Sequence, residues 1–322
     1  MNSNKEKYKT FCDSNVSLPI FVKYWWLNAV AGNDNWDVLL YIVDKKIIAS
    51  YPYYLKKKML LFKILTIPRF TPFFGPYIVF PENIKHSEKL SLEKKVLFYF
   101  IENLPRTDYI QLTYHYSFSN WLPFFWKGFK QTTLYTYLLD SISDSKVVFE
   151  NFDYSKKKQI KKAEKSIKIH FDLSAEDFYA NHNLTLTKQN KNISYDFKLF
   201  KRIYDAAYLN ESGRTLYAID EFNNIHGALF IVWDNNSAYN LISSFDPYFK
   251  NSGASSLLVF AAIKFVADKT LRFDMEGSMN ENVENSFRQF GALQTPYFYI
   301  TRTTNLLLKF YFLISGNSKI TE

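Results

Sequence analysis

The amino-acid sequence predicts an α/β (α+β) protein of two tandem domains, each built on a mixed, largely antiparallel sheet flanked by helices. A chain of 322 residues, 47% of them hydrophobic, has enough apolar side chains for two ordinary cores. Strand-like and helix-like periodicities alternate along both halves. A polar, turn-rich segment, Asp140 to Ser145, lies between the halves, so the sequence predicts domains at residues 1–140 and 141–322.

The first half begins with a short helix over Val22 to Ala31, in which the bulky Trp25 and Trp26 indicate burial. Two strand-like runs follow, separated by Asp44-Lys45-Lys46, which is typical of a hairpin turn. The segment Ile67 to Tyr77 is rich in proline and aromatic residues, which predicts a rigid aromatic loop. The domain is completed by a helix over Ser87 to Asn103 and by strands over Tyr109 to Tyr114 and Gln131 to Leu139.

The second half has the clearest pattern in the sequence. A basic helix with Ser155 as its N-cap and two further helices precede three strands joined by hairpin turns. A loop with a single glycine, Lys250 to Ser255, then begins a long apolar helix. The elements from the three strands onward are Arg214 to Ile219, Ile225 to Trp233, Ala238 to Phe245, helix Ser256 to Ala267, strand Leu271 to Met275, helix Glu281 to Gln289, strand Gln294 to Thr301 and helix Asn305 to Ile314.

This order of helices, antiparallel strands, loop, helix, strand, helix and strand resembles the core of the GNAT acyltransferases. The stretch Phe273-Asp274-Met275-Glu276-Gly277-Ser278, followed by Phe287 to Ala292, is similar to the end of the GNAT-like domain in Fem-type peptidyltransferases and related bacterial acyltransferases. The basic helix Lys156 to Ala163 resembles the helix that begins that domain, and Pro19 to Leu27 resembles the family's N-terminal entry. The resemblance implies two tandem GNAT-like domains.

The activity that the resemblance implies is transfer of an acyl group, with acetyl as the first expectation, from acyl-CoA to an amine of a sugar or cell-envelope precursor. Two alternatives remain open. One is a Fem-type peptidyltransferase that uses aminoacyl-tRNA, and the other is a GNAT-like module that binds a partner without catalysis. The loop before the long helix lacks the glycine-rich repeat of ordinary acetyl-CoA enzymes, and no long charged hairpin of the kind used for tRNA is evident, so the sequence does not choose the donor.

An acyl donor of either kind carries phosphate, and a loop of small residues before a helix lets backbone N–H groups approach a phosphate. An ordinary loop with a helix cap is the alternative at this position. The predicted cofactor-binding residues are Lys250, Asn251, Ser252, Gly253, Ala254 and Ser255.

Two carboxylates follow on one face of the next strand, because a period of two places Arg272, Asp274 and Glu276 together. An apolar surrounding raises the pKa of such a carboxylate and allows it to accept the proton of an amine. Glu276 is therefore the predicted general base, and Asp274 is its structural or substrate-binding neighbour. The alternative is that Asp274 pairs with Arg272 while Glu276 caps the following helix.

Contacts with the acceptor are predicted for one arginine and for aromatic segments of the first half. Arg288 is a candidate for an anionic group, with a solvated helix face as the alternative. The tyrosines Tyr239 and Tyr297 are candidates for protonating a leaving thiolate, with core packing as the default for each. The predicted substrate-binding residues are Trp25, Trp26, Phe74, Gly75 and Arg288.

A net charge of +9 fits an anionic partner such as a nucleotide phosphate, tRNA or a lipid headgroup, and equally fits a codon bias towards lysine. No ligand spacing among the five histidines indicates a metal, and no motif indicates DNA binding. The expected acceptor is a small molecule or a lipid-linked saccharide or peptide, with tRNA as the less favoured partner. The single cysteine, the polar N-terminus and the lack of a long apolar run predict a cytoplasmic protein without a transmembrane segment, compatible with contact at the inner membrane face.

Overall fold

The computed structural model describes residues 3–58, 62–277 and 279–315. The chain divides into two compact units. Unit 1 contains residues 1–134 and 296–322, and unit 2 contains residues 135–295. These units differ in their bounds from the domains predicted at 1–140 and 141–322, because the last strand of the chain passes from unit 2 into unit 1 and the C-terminal segment belongs to unit 1.

Helices and strands alternate through the first part of the chain as the periodicity predicted. In chain order the elements are α1 (Asn4–Ser14), α2 (Tyr24–Ala31), β1 (Trp36–Val43), β2 (Lys46–Lys58), β3 (Phe62–Thr66), β4 (Tyr77–Ile78), α3 (His86–Asn103), β5 (Tyr109–Thr113), α4 (Leu122–Trp126) and β6 (Lys130–Asp140).

The second part of the chain continues this alternation and ends on a helix. Its elements are α5 (Ser145–Glu150), α6 (Tyr154–Ala163), β7 (Ile167–Phe171), α7 (Ala175–Thr187), α8 (Phe197–Leu209), β8 (Gly213–Asp220), β9 (Ile225–Trp233), β10 (Ser237–Phe245), α9 (Ala254–Val266), β11 (Arg272–Asp274), α10 (Glu281–Arg288), β12 (Leu293–Thr303) and α11 (Leu306–Ser315).

The sheet of unit 1 has the strand order β1-β2-β3-β5-β12, with β4 beside β2. Its neighbouring strands are antiparallel except for β3 and β5, which are parallel. The predicted hairpin between β1 and β2 is present. Asp44 and Lys45 have φ values of 47° and 64° between the paired residues Val43 and Lys46, the backbone of a two-residue hairpin turn.

The aromatic loop before β4 packs into the core of unit 1. Trp26 has no exposed surface, and its indole Nε1 donates a hydrogen bond to Thr71 Oγ1 at 3.1 Å. Phe74 also has no exposed surface. A Cβ atom at Gly75 would lie 2.5 Å from the ring of Tyr114, so only glycine fits there. Trp26 and Phe74 are therefore core residues in this structure, and their contact with an acceptor stays a prediction.

The sheet of unit 2 has the strand order β6-β11-β10-β9-β8-β7, in which β10 and β11 are parallel and the other neighbours antiparallel. The predicted meander β8-β9-β10 is confirmed. Helix α9 packs on this sheet and is apolar on all sides, and accordingly most of its residues are buried. The core of unit 2 forms between this helix and the inner face of the sheet.

The pairing of β10 with β11 is short. Ser237, Ala238 and Tyr239 pair with Arg272, Phe273 and Asp274, after which β11 ends while β10 continues to Phe245. The backbone N–H of Met275 instead donates to Tyr137 O on β6, at 3.0 Å. The two strands therefore separate at Tyr239 and Asp274, and we call this place the fork.

Truncation of Phe74 tests the assignment of the aromatic loop to the core. We expect Phe74→Ala to lower the free energy of unfolding by about 3–5 kcal/mol, because a fully buried phenyl ring is replaced by a cavity. Phe125→Ala is the matched control, since Phe125 is 56% exposed and its loss should cost below about 1 kcal/mol. Denaturant titration measures both, and equal costs would contradict the assignment.

Candidate functional site

The fork in unit 2 brings together the two carboxylates that the sequence singled out. Asp274 is the last residue of β11, and it lies opposite Tyr239 on β10 and Leu138 on β6. Glu276 follows two residues later, after the strand has ended. The strand period predicted that the two side chains lie on one face. In the structure Glu276 lies beyond the end of the strand, and the negative charge of Asp274 raises the pKa of Glu276.

Asp274 has no exposed surface and holds the end of β11 through one of its oxygens. Its Oδ1 accepts hydrogen bonds from the hydroxyl of Thr136 and from the backbone N–H of Glu276, the second at 2.9 Å. Its Oδ2 is buried and has no hydrogen-bond partner among the described residues. Burial raises the pKa of Asp274 to about 7, and the two hydrogen bonds limit that rise.

Glu276 is the more accessible carboxylate of the pair, since its side chain is half-buried. Its Oε1 is nevertheless closed to solvent and lacks a hydrogen-bond partner within the described part of the chain. Burial raises the pKa of Glu276 well above its usual range, and the charge of Asp274 raises it further. Its φ of 56° is in the left-handed region, which is strained for a residue with a side chain.

The structural alternatives for these two carboxylates do not hold. Arg272 pairs with Asp140, whose Oδ1 lies 2.6 Å from the arginine Nε. Asn280 caps the following helix α10, because its side-chain oxygen accepts the backbone N–H groups of Asn282 at 3.0 Å and Val283 at 3.4 Å. Neither Asp274 nor Glu276 is therefore explained by the role that the sequence offered as the alternative.

Gly277 directly follows Glu276, and the sequence predicted no role for it. A Cβ atom there would lie 2.1 Å from the carbonyl oxygen of Tyr135 and 3.0 Å from Cα of Thr136. Only glycine permits this close approach, which sets the backbone of Glu276 against the strand that carries Thr136. Ser278, the next residue of the quoted stretch, lies outside the described residues.

The predicted donor loop at the start of α9 is partly covered by α6. Gly253 has a φ of 83°, and a Cβ atom there would lie 2.4 Å from the carbonyl oxygen of Gln159 on α6. Ala254 is buried as well. Gly253 and Ala254 are therefore buried next to α6, and their contact with a donor phosphate stays a prediction.

The rest of the donor loop is open to solvent. Ser252 and Ser255 are half-buried, and Lys250 and Asn251 are exposed. Lys162 of α6 donates from Nζ to the carbonyl oxygen of Asn251 at 2.8 Å. An ammonium group from α6 therefore lies at the loop that contains Lys250. Lys250, Asn251, Ser252 and Ser255 therefore have solvent-accessible surface that is available to an anionic donor.

Lys156 is a second residue that the sequence analysis did not single out. It lies on α6 four residues before the buried Ile160, on the face that packs into unit 2, and it is itself 5% exposed. Its Nζ donates to Ser286 Oγ on α10 at 2.9 Å and lies 3.5 Å from Ser256 Oγ and 4.5 Å from the centre of the Phe290 ring. Burial lowers the pKa of Lys156 to about 8, an effect that Asp153 opposes.

The groups in contact with the Nζ atom of Lys156 are two hydroxyl groups and an aromatic ring, and the charge of Asp153 offsets part of the effect of burial on its pKa. The helical spacing of Lys156 and Ile160 was the signal that could have found it, because it puts a lysine on an apolar stripe. The N-cap prediction for this helix is wrong. Asp153 occupies the N-cap position, and Ser155 is inside the helix.

The remaining predicted residues are on other elements of the chain. Arg288 is exposed on α10 and bonds within its own helix, to Glu284 Oε1 and Asn285 Oδ1, both at 3.1 Å. Trp25 and Gly75 are half-buried in unit 1. No cluster of His, Cys, Asp or Glu suited to a metal ion occurs within residues 3–58, 62–277 and 279–315. None of the helices in these ranges combines the length and the apolar character needed to cross a bilayer.

The buried charge of Lys156 gives a test by pH. The native pKa of about 8 is below the value of about 10.4 in an unfolded chain. Between these values the unfolded state binds more protons, so the stability of the wild type should rise by about 1.4 kcal/mol per pH unit relative to Lys156→Met. Below about pH 8 this contribution is fully lost, and there Lys156→Met should be at least as stable as the wild type.

Denaturant titration across this pH range measures the difference. Lys158→Met is the matched control on the exposed face of α6, and its stability should run parallel to that of the wild type. A parallel course for Lys156→Met as well would contradict the burial of a charged ammonium group.

Comparison with known proteins gives structures but no sequence family. No protein-family model matches the chain, and no curated protein matches it. The structure of FemX is similar with a TM-score of 0.71 at 10% identity, covering 98% of this chain and 99% of that chain. A conserved protein of unknown function from Bacteroides thetaiotaomicron has a TM-score of 0.57 at 8% identity, with 94% and 97% covered.

The L-PGS structure from Bacillus licheniformis is also similar, with a TM-score of 0.56 at 10% identity and coverage of 97% and 96%. Sequence identities this low establish similarity of fold alone. The predicted α/β fold, with largely antiparallel sheets flanked by helices, is confirmed, and the chain shares its fold over almost its whole length with FemX.

Proposed function

We propose that this protein is an acyltransferase that moves an activated acyl group onto an amine, with Glu276 as the residue that accepts the amine proton. The observation that supports it most is the fork itself. Two coupled carboxylates stand where β10 and β11 separate, each with a buried oxygen that has no partner among the described residues. Buried, unpaired carboxylates destabilise a fold, and such groups are concentrated at functional sites.

The chemistry assigned to the fork is the aminolysis of a thioester or ester. The amine nitrogen attacks the acyl carbonyl, the new C–N bond forms, and the bond from the carbonyl carbon to the leaving sulfur or oxygen breaks. The amine loses one proton in this step, and the carboxylate of Glu276 takes it. The thiolate or alkoxide that leaves takes up a proton in turn, and Tyr239, which is buried opposite Asp274 on β10, is the candidate donor.

Asp274 is a positioning residue in this proposal. It is completely buried, and it fixes the turn at Glu276 by accepting that residue's backbone N–H. Its charge also raises the pKa of Glu276, which strengthens Glu276 as a base near neutral pH. Because the two carboxylates interact, a change at Asp274 should alter the titration of Glu276.

Acyl-CoA, with acetyl-CoA as the first choice, is the donor that the resemblance to GNAT enzymes suggests. Lys250, Asn251, Ser252 and Ser255 retain exposed surface at the start of α9, and Lys162 adds a cation beside them. These groups suit the phosphates of a nucleotide. The burial of Gly253 and Ala254 means that such a donor would contact the outer part of the loop.

Aminoacyl-tRNA is the second candidate donor, and the packing of α6 favours it. The helix covers the inner loop while Lys158, Lys161 and Lys165 remain exposed on and just beyond it. A row of exposed lysines attracts a polyanion without requiring a closed phosphate pocket. The fold similarity to FemX agrees with this candidate, since Fem-type proteins are the branch that the sequence resembles.

The acceptor is proposed to be an amine on a sugar nucleotide, a lipid-linked saccharide or a peptide precursor. Trp26 and Phe74, the predicted aromatic contacts, are buried in the core of unit 1, so Trp25 and Gly75 are the more accessible of the residues predicted in that unit. Arg288 stays a candidate for an anionic group of the substrate, since it is exposed and could exchange its helix partners for a ligand.

Replacing Glu276 tests the central role. Glu276→Gln should lower the turnover rate by about 100-fold or more, because general-base catalysis contributes on that scale, while thermal unfolding stays within a few degrees of the wild type. Glu281→Gln, an exposed residue of α10, is the matched control and should keep full activity. Full activity of Glu276→Gln would remove this residue from the mechanism.

The pH dependence of the rate tests the coupling of the two carboxylates. Glu276 must lose its proton to act as a base, so the rate should rise with pH and level off above an apparent pKa higher than that of an ordinary carboxyl group, because burial raises the pKa of Glu276 and the charge of Asp274 raises it further. Asp274→Asn should lower this apparent pKa, because the charge that raises the pKa of Glu276 is gone. An unchanged profile would leave Asp274 a purely structural residue.

Donor binding distinguishes the candidates without knowledge of the acceptor. Native mass spectrometry with acetyl-CoA should show a one-to-one complex if acyl-CoA is the donor, and Lys250→Glu should weaken it. Salt-sensitive retention of aminoacylated tRNA, weakened by Lys158→Glu and Lys161→Glu, would instead support peptidyl transfer. Binding of neither probe would favour a non-catalytic module and overturn the proposal.

A further inference from the structure

The C-terminal helix α11 of unit 1 exposes an unusually apolar surface. Lys309 is the charged residue in its sequence, Leu306 to Ser315. The exposed fractions of its large apolar side chains are 77% for Leu306, 73% for Leu307, 64% for Phe310, 55% for Tyr311, 80% for Leu313 and 71% for Ile314. Single exposed apolar residues are ordinary, but a contiguous group of this size marks a binding surface.

The opposite side of α11 packs against other residues of unit 1. Leu308 is 5% exposed and packs with Ile64 and Tyr109, and the ring of Phe312 lies 5.1 Å from that of Tyr109. Asn305 caps the helix by accepting the backbone N–H of Leu307 at 2.9 Å, and its amide donates to Asp108 Oδ1 at 2.9 Å. These contacts fix which side of the helix faces outward.

At 3.6 residues per turn, the outward side contains Leu306, Leu307, Phe310, Leu313 and Ile314 as one continuous apolar face. We call these five residues the apolar face of α11. Over its ten described residues the helix is roughly 15 Å long, about half the thickness of a bilayer's hydrocarbon core. A helix of this length and character suits a position along the surface of a bilayer.

Cationic side chains border the apolar face. A surface cavity of about 790 Å³ next to α11 is lined by Leu306, Phe310 and Leu313 of that face and by three cations, Lys130, Arg302 and Lys309. The described lining of this cavity contains no Asp or Glu. Lys130, Arg302 and Lys309 have no ion pair among the described residues. Apolar side chains beside such cations match the chemistry of an anionic phospholipid, whose chains are apolar and whose headgroup has a phosphate.

We infer that α11 binds the surface of an anionic phospholipid bilayer, with the apolar face entering the acyl-chain region and Lys130, Arg302 and Lys309 at the level of the lipid phosphates. This goes beyond the acyl-transfer proposal and does not depend on it, because lipid binding is measured without turnover. The cations favour a lipid over a second copy of the chain, because two copies joined through this face would bring like charges together.

Vesicle flotation with the full-length protein tests the inference. The probes are vesicles of phosphatidylcholine alone and of phosphatidylcholine mixed with phosphatidylglycerol. The wild type should float with the mixed vesicles, bind the neutral ones at least about tenfold more weakly, and lose affinity as salt is raised. Phe310→Ser/Leu313→Ser should bind the mixed vesicles at least about tenfold more weakly than the wild type.

Matched variants separate this surface from the others. Leu209→Ser/Phe222→Ser makes the same chemical changes at side chains that are 85% and 76% exposed in unit 2, and it should bind vesicles like the wild type. Lys130→Glu/Lys309→Glu should abolish the preference for phosphatidylglycerol, whereas Lys158→Glu/Lys161→Glu on α6 should retain it. Thermal unfolding checks that each variant is folded.

Three results would overturn the inference. One is equal binding of the wild type to neutral and anionic vesicles, and another is loss of binding in the α6 variant with retention in the α11 variants. The third is a dimer in analytical ultracentrifugation that Phe310→Ser/Leu313→Ser dissociates, without any vesicle binding, since the face would then join two copies of the chain.

Discussion

Asp274 holds the end of β11 in place, and the geometry of the candidate site depends on that bond network. One of its oxygens accepts both the hydroxyl of Thr136 and the backbone N–H of Glu276. These bonds turn the chain away from β10 after three paired residues, while β10 continues beside β9. The half-buried carboxylate of Glu276 therefore lies just beyond the end of β11, where the pairing of two parallel strands stops.

This arrangement is energetically unfavourable in ways that core packing does not explain. Asp274 and Glu276 each leave a buried oxygen without a partner among the described residues, and Glu276 has a left-handed backbone. Lys156 adds a buried ammonium group in the same unit. Each costs stability, and replacement by a neutral side chain of similar size would relieve that cost. Residues that destabilise the fold in this way are typical of sites shaped for binding or chemistry.

Helix α6 has two surfaces with different consequences. Its inner side, with Lys156, Ile160 and Ala163, packs against α9 and covers part of the donor loop. Its outer side exposes lysines to solvent. The inner side leaves no room for a side chain at position 253, where a Cβ atom would lie 2.4 Å from the carbonyl oxygen of Gln159. The outer side carries positive charge that is accessible to an anionic partner.

The sequence by itself determined the elements and the faces of unit 2. The meander β8-β9-β10 and the apolar helix α9 follow from periodicities that are local to each segment, and local sterics fix which side chains share a face. The position of Glu276 beside Asp274 depends instead on a turn with left-handed backbone beyond the end of β11. Tertiary structure alone decided what each face meets. Trp26 and Phe74 lie in the core of unit 1, Lys156 is buried in unit 2, and α6 packs against the start of α9. Periodicity identifies an apolar face but not its partner, because burial depends on contacts between segments distant in the chain.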